Sequence, residues 1–185
     1  MGIFDYFIKK HKKEEVDSRP TTAKESTIAP TKQNTSSMYE GILTEEEILK
    51  KVYAHNIQNG TFIIPEHIKS IDMFAFSNLQ NLHTIIMHDG VRFVAPNAFQ
   101  GCNNLTEIID LENAKAMKTI NGYNSCTNLQ NIKLPQNITS IGNCAFTDCK
   151  NLFSINLPDG CWYISSQSFA GCENLKTIEI PASVE

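Results

Sequence analysis

The sequence predicts a solenoid in which short repeats stack, form a parallel ladder of β-strands and share one continuous core. One phrase recurs five times over the last 125 residues, framed by a leucine that follows an asparagine every 23 or 24 residues: Leu82, Leu105, Leu129, Leu152 and Leu175. Residues 137–155 read NITSIGNCAFTDCKNLFSI and residues 160–178 read GCWYISSQSFAGCENLKTI, so apolar, aromatic and cysteine residues return at fixed positions. A unit this short cannot bury its apolar face alone, and neighbouring units must therefore stack.

The first element is a predicted short amphipathic leader over residues 1–17. Its apolar side is followed by lysines and consists of Ile3, Phe4, Phe7 and Ile8. This order is not that of a secretory signal, because the apolar part is short, contains Asp5 and precedes the basic residues. A weak membrane contact through Met1 to Lys13 is one interpretation, and a frayed or otherwise docked segment is the other.

Residues 18–43 are predicted to be a disordered linker. The stretch from Ser18 to Met38 is rich in serine, threonine, proline and lysine and has few apolar side chains to bury. Such a composition cannot offset the entropy cost of ordering the chain. We therefore expect it to tether the leader to the repeats.

Residues 44–60 are predicted to form an N-terminal capping helix. Thr44 and Glu47 have the spacing of a capping box, and Asn59-Gly60 supplies a stop signal. The helix would carry an apolar stripe made of Ile48, Leu49, Val52, Tyr53 and Ile57. Because terminal repeats of a solenoid need a cover, we expect this stripe to close the open end of the stack.

Residues 61–185 are predicted to hold five repeats and a partial sixth. In the fourth repeat Ile155 and Leu157 face inward along a strand that Pro158 ends, since proline cannot donate to a ladder. Equivalent inward pairs recur, at Ile132 and Leu134 and at Ile178 and Ile180. The third repeat has Tyr123 where the others have phenylalanine, and its spacing around residues 111–123 differs. We expect a local bulge there, with the stack preserved.

These phrases resemble the BspA-like (Treponema pallidum-type) leucine-rich repeat, whose unit reads I-x-x-I-x-x-x-A-F-x-x-C-x-x-L-x-x-I-x-I/L-P. The fourth repeat carries the unit in order from Ile138 to Pro158, and the similarity extends from Phe62 to Val184. The resemblance implies a right-handed leucine-rich repeat solenoid that binds protein. It also implies a family that often occurs on surface proteins implicated in adhesion.

The six cysteines are interpreted as buried thiols that bind no metal. Four occupy the same position of successive repeats, where the first repeat has Leu79: Cys102, Cys126, Cys149 and Cys172. A position that accepts leucine is a packing position, and a spacing of 23 or 24 residues fits no zinc motif. Cys144 and Cys161 replace other small or apolar repeat residues.

Catalytic and nucleic-acid-binding functions are not indicated. None of the five histidines stands in a recognisable Cys-His or Ser-His motif, and no phosphate loop or dinucleotide fingerprint occurs. Residues 61–185 carry seven Lys or Arg against eleven Asp or Glu, which is a poor surface for phosphates. The sequence therefore predicts no enzyme, no cofactor and no nucleic-acid partner.

Two binding surfaces are predicted. One is the outward side of the presumed concave sheet, with the candidates Glu107, Asn131, Lys133, Ser154, Asn156, Thr177 and Glu179. The other is a flank between the two framing apolar residues of each turn, with the candidates Arg92, Phe93, Trp162 and Tyr163. The alternative for the flank rings is that they pack on a neighbouring loop or on a later repeat.

The predicted function is a non-catalytic scaffold that binds an unidentified protein. A cytoplasmic location is expected, because no secretory signal is seen and unpaired thiols suit a reducing compartment. The alternatives are a surface adhesin exported by an unconventional route and a peripheral membrane adaptor that uses Met1 to Lys13.

Overall fold

The structure is a computed structural model that describes residues 47–185. These residues belong to one compact unit, Tyr39–Glu185. The predicted leader (1–17), the predicted linker (18–43) and the first residues of the predicted capping helix lie outside the described residues. Within residues 47–185, no helix has the length and apolar character that a membrane crossing requires.

The described chain is built from very short strands, with two 3₁₀ helices at Ala54–Asn56 and Leu111–Asn113. The strands are β1 (Ile48–Leu49), β2 (Thr61–Ile63), β3 (Ser70–Ile71), β4 (Thr84–Ile86), β5 (Phe93–Val94), β6 (Glu107–Ile109), β7 (Thr119–Ile120), β8 (Asn131–Ile132), β9 (Ser140–Ile141), β10 (Ser154–Ile155) and β11 (Tyr163–Ile164). Each full turn of the chain contributes one strand to each of two faces.

All pairing between these strands is parallel. The front face contains the sheets β2-β4-β6 and β8-β10, and the side face contains the sheets β1-β3-β5 and β7-β9-β11. Equivalent residues lie side by side, as Thr84 does with Glu107 on the front face and Ser140 with Tyr163 on the side face. Residues one repeat apart in sequence therefore form columns on the surface. The predicted parallel ladder is confirmed.

On both faces the ladder of strands is interrupted at the third repeat. β6 and β8 belong to different front sheets, and β5 and β7 belong to different side sheets. Asp110 adopts a left-handed conformation with φ of 61° directly after β6, and the 3₁₀ helix Leu111–Asn113 follows it. This local turn takes up the altered spacing that the sequence shows around residues 111–123. The predicted bulge is confirmed.

A row of stacked aromatic rings runs through the core and crosses this bulge without a break. The centroid distances are 4.7 Å for Phe76 and Phe99, 5.1 Å for Phe99 and Tyr123, 5.7 Å for Tyr123 and Phe146, and 5.6 Å for Phe146 and Phe169. Phe76, Phe99, Tyr123 and Phe146 are completely buried. Stacking one ring per repeat fixes the position of each repeat against the next, so the stack is preserved as predicted.

The prediction of a capping helix is wrong over residues 47–59, the part of it that the structure describes. Residues 47–59 instead form β1 and a 3₁₀ helix, and β1 pairs in parallel with β3. The backbone N–H of Val52 donates to the carbonyl of Ala75 at 2.8 Å, as that of Phe76 does to Ala98 one repeat later. Val52 thus takes the place of the core aromatic residue in a shortened repeat that precedes the first one. Pairing with the next repeat outweighs the local helix signals, because it satisfies the backbone groups and buries Val52 and Ile57 together.

Candidate functional site

The repeated cysteines do more than fill space in the core. Each thiol donates a hydrogen bond to the carbonyl of the aromatic residue in the preceding repeat, at 2.9 Å for Cys102 to Phe76 and 3.1 Å for Cys149 to Tyr123. Cys126 and Cys172 repeat the contact with Phe99 and Phe146, at 3.2 and 3.1 Å. Sequence reasoning predicted that all six thiols are buried, which is wrong for Cys144 and Cys172, since both are only partly buried. It also missed this bond, because leucine at the same position of the first repeat suggested packing alone.

These thiols are poorly suited to chemistry. All six cysteines are free, and Cys102, Cys126 and Cys149 are completely buried. Burial raises the pKa of Cys102 to about 11 and raises the pKa of Cys126 and Cys149 as well. The reactive and metal-binding form of cysteine is the thiolate, which a raised pKa disfavours. Among residues 47–185 no group of three or more His, Cys, Asp or Glu side chains is placed to hold a metal ion.

The front face carries the first set of predicted binding residues. Glu107, Asn131 and Ser154 are exposed at equivalent positions of β6, β8 and β10. In the next column Lys133 and Asn156 are exposed, whereas their counterparts in the earlier repeats, Ile86 and Ile109, are half-buried. This face therefore changes from apolar to polar along the solenoid.

Thr177 and Glu179 do not extend the front ladder. The strand predicted around Ile178 and Ile180 is not formed, and both predicted site residues lie in irregular chain. Ile180 is 52% exposed, although the repeat pattern placed it inward. An inward side chain that finds no partner to cover it gains little from burial, so it does not hold the backbone in the register of the ladder.

The side face carries the second set. Trp162 and Tyr163 are 52% and 45% exposed, and their ring centroids lie 5.7 Å apart. The backbone of Trp162 is held on both sides, since its N–H donates to Thr139 at 3.0 Å and its carbonyl accepts from Glu185 at 3.1 Å. The two rings are thus about half exposed on a backbone that hydrogen bonds hold in place.

Arg92 and Phe93 occupy the same side face, in the neighbouring sheet. Arg92 is exposed and Phe93 is half-buried on β5, which belongs to a different sheet from β11. The bulge of the third repeat separates the two sheets. The structure therefore places the four flank residues on equivalent turns without joining them in one continuous ladder.

Sequence reasoning missed a ladder of asparagine side chains beside an exposed aromatic ring. The amide Nδ2 of Asn174 donates to Oδ1 of Asn151 at 3.1 Å, and Nδ2 of Asn151 donates to Oδ1 of Asn128 at 3.0 Å. Phe153 lies next to this ladder and is 55% exposed. One signal was present in the sequence: Phe153 is aromatic at a position where Gln130 and other repeats have polar residues.

The fold is that of a leucine-rich repeat solenoid. It has parallel strands on two faces, one core aromatic residue per turn and a period of 23 or 24 residues. The family described as BspA type leucine rich repeat region matches residues 46–123 and 119–185, with six copies. The chain belongs to this family. The match begins at residue 46, in agreement with a shortened repeat in place of a capping helix. Leucine-rich repeat solenoids are generally non-catalytic.

Solved structures share the fold. A leucine-rich repeat protein from T. pallidum superposes with a TM-score of 0.65 at 22% identity, over 72% of this chain and 63% of that one. A leucine-rich cell surface protein from Faecalibacterium prausnitzii A2-165 gives 0.60 at 28% identity, over 65% of this chain and 31% of that one. A leucine-rich repeat protein from Bacteroides ovatus gives 0.53 at 27% identity, over 66% and 37%. This chain thus spans about a third to two thirds of their lengths, and no curated protein matches it.

Proposed function

We propose that the protein is a non-catalytic scaffold that binds another protein through the side face around Trp162 and Tyr163. The observation that carries the proposal is the exposure of two neighbouring large aromatic side chains on a backbone fixed by the ladder. Tryptophan, tyrosine and arginine are the residues most enriched at the energetic centres of protein interfaces. A pre-organised backbone also lowers the entropy cost of binding.

The charge of the repeats supports a protein partner over a nucleic acid. Residues 61–185 carry four more acidic than basic side chains, and phosphate binding requires a concentrated basic face. The proposed compartment is the cytoplasm, which suits the six free thiols because they would stay reduced there.

The test compares two single variants of the full chain as baits in cell extract. Trp162→Ala removes the proposed anchor, and Asn156→Ala alters an exposed residue of the front face. We expect Trp162→Ala to weaken the binding free energy for the captured partner by about 2 kcal/mol, which raises its Kd roughly 30-fold. Asn156→Ala should leave the Kd unchanged. Loss of the partner only with Asn156→Ala would move the interface to the front face and contradict the proposal.

A surface adhesin is the second candidate, because one of the similar structures is described as a leucine-rich cell surface protein. Fractionation of cells that express the native gene distinguishes the two. Recovery in the cytoplasmic fraction supports the intracellular scaffold, whereas protease sensitivity on intact cells supports the adhesin. Recovery with membranes that is lost on deleting residues 1–13 would support the peripheral membrane adaptor.

A further inference from the structure

A surface depression lies between the third and fifth repeats, beside the front face. It is lined by Gln130, Asn151, Phe153 and Asn174 and has a volume of about 350 Å³. The lining therefore consists of three carboxamide side chains and one aromatic ring, and contains no charged group.

The carboxamides keep hydrogen-bonding capacity toward solvent. An amide group offers two donors and two acceptor lone pairs. In the asparagine ladder, Asn151 uses one donor on Asn128 and one lone pair on Asn174. One N–H and one lone pair of Asn151 are thus left over, and Gln130 makes no side-chain hydrogen bond with the residues that the structure describes. Planar amides with both functions match neighbouring hydroxyl groups, each of which donates and accepts.

Phe153 supplies an apolar wall at a fixed place. Its backbone N–H donates to the carbonyl of Gln130 at 2.8 Å, so the ladder holds the residue in position. Equivalent positions of the other repeats carry histidine, threonine, glutamine or lysine: His83, Thr106, Gln130 and Lys176. The face of an aromatic ring is electron-rich and attracts the positively polarised C–H groups of an apolar or half-apolar ligand.

We propose that this depression binds a neutral sugar ring. One face of a pyranose presents C–H groups that can stack on Phe153, and its hydroxyls can bond Gln130, Asn151 and Asn174. No charged residue among those that the structure describes lines the depression, which favours a neutral ligand, and Lys150, the residue before Asn151, is paired with Glu173 at 3.2 Å. The site is separate from the side face around Trp162, so the proposal does not depend on the protein-binding function.

The test is an NMR titration of the full chain with the methyl glycosides of glucose, galactose and mannose and with N-acetylglucosamine. We expect saturation transfer to at least one of them, side-chain amide shifts at Asn151 and Asn174, and a Kd on the order of 1 mM for so open a site. Phe153→Ala should weaken binding at least about tenfold, Gln130→Ala should weaken it less, and Phe153→Trp should retain it.

Tyr53→Ala is the matched control, because Tyr53 is also an exposed aromatic residue but lies in the shortened repeat before the first one, far from the depression in sequence. Its affinity should equal that of the unchanged chain. The proposal is overturned if none of the four sugars binds, or if Phe153→Ala, with unchanged thermal unfolding, binds as tightly as Tyr53→Ala does.

Discussion

Replacing Phe146 with alanine tests whether the aromatic row holds the solenoid together. Phe146 is completely buried, and its ring stacks on Tyr123 at 5.7 Å and on Phe169 at 5.6 Å. Burying a phenylalanine contributes about 1.5 to 3 kcal/mol. Each stacked pair adds roughly 0.5 to 1.5 kcal/mol. The substitution should therefore lower the free energy of unfolding by about 3 to 5 kcal/mol, the usual cost of a large cavity in a core.

The assay is urea unfolding followed by circular dichroism and by the fluorescence of Trp162, the only tryptophan of the chain. Phe153→Ala is the control and should change stability by no more than about 0.5 kcal/mol, since that ring is exposed. Phe169→Ala should lie between the two, because Phe169 is half-buried in the last repeat. The reasoning is refuted if Phe146→Ala costs no more than Phe153→Ala does.

Three further predictions concern buried polar groups. The hydroxyl of Tyr123 is buried without a hydrogen-bond partner. Tyr123→Phe should therefore raise the free energy of unfolding by about 1 kcal/mol in the same urea assay. A loss of stability would show that the hydroxyl has a hydrogen-bond partner. In the native protein, the buried thiols of Cys102, Cys126 and Cys149 should react slowly with a chromogenic disulfide reagent at pH 8. In the urea-denatured chain, all six thiols should react. Fast reaction of all six thiols in the native protein would contradict the burial of these three. Unfolding restores the ordinary thiol pKa of 9.0, so the contribution of Cys102 to stability should fall as pH rises from 9 toward its folded value of about 11.

The repeat period and the core positions could be predicted from the sequence. Phe76, Phe99 and Phe146 recur at one position because every repeat must bury the same side chain against its neighbour. The same logic located the cysteines and the bulge near Leu111. Burial has no direction, so within the stack a periodic pattern of apolar residues indicates which side chains point inward; Ile180, outside the ladder, departs from the pattern and is 52% exposed.

The tertiary structure decided which backbone groups pair and which side chains meet outside the core. The helix predicted around Val52 has a capping box at its start and a stop signal at its end. Residues 47–59 nevertheless pair with the next repeat, more than 20 positions later in the chain. The depression at Phe153 likewise joins side chains from three successive repeats. Hydrogen bonds are directional and depend on the register and spacing of neighbouring repeats, which exist only once the chain has stacked. Burial at the repeated core positions requires only an apolar side chain at the right period, which the sequence already specifies.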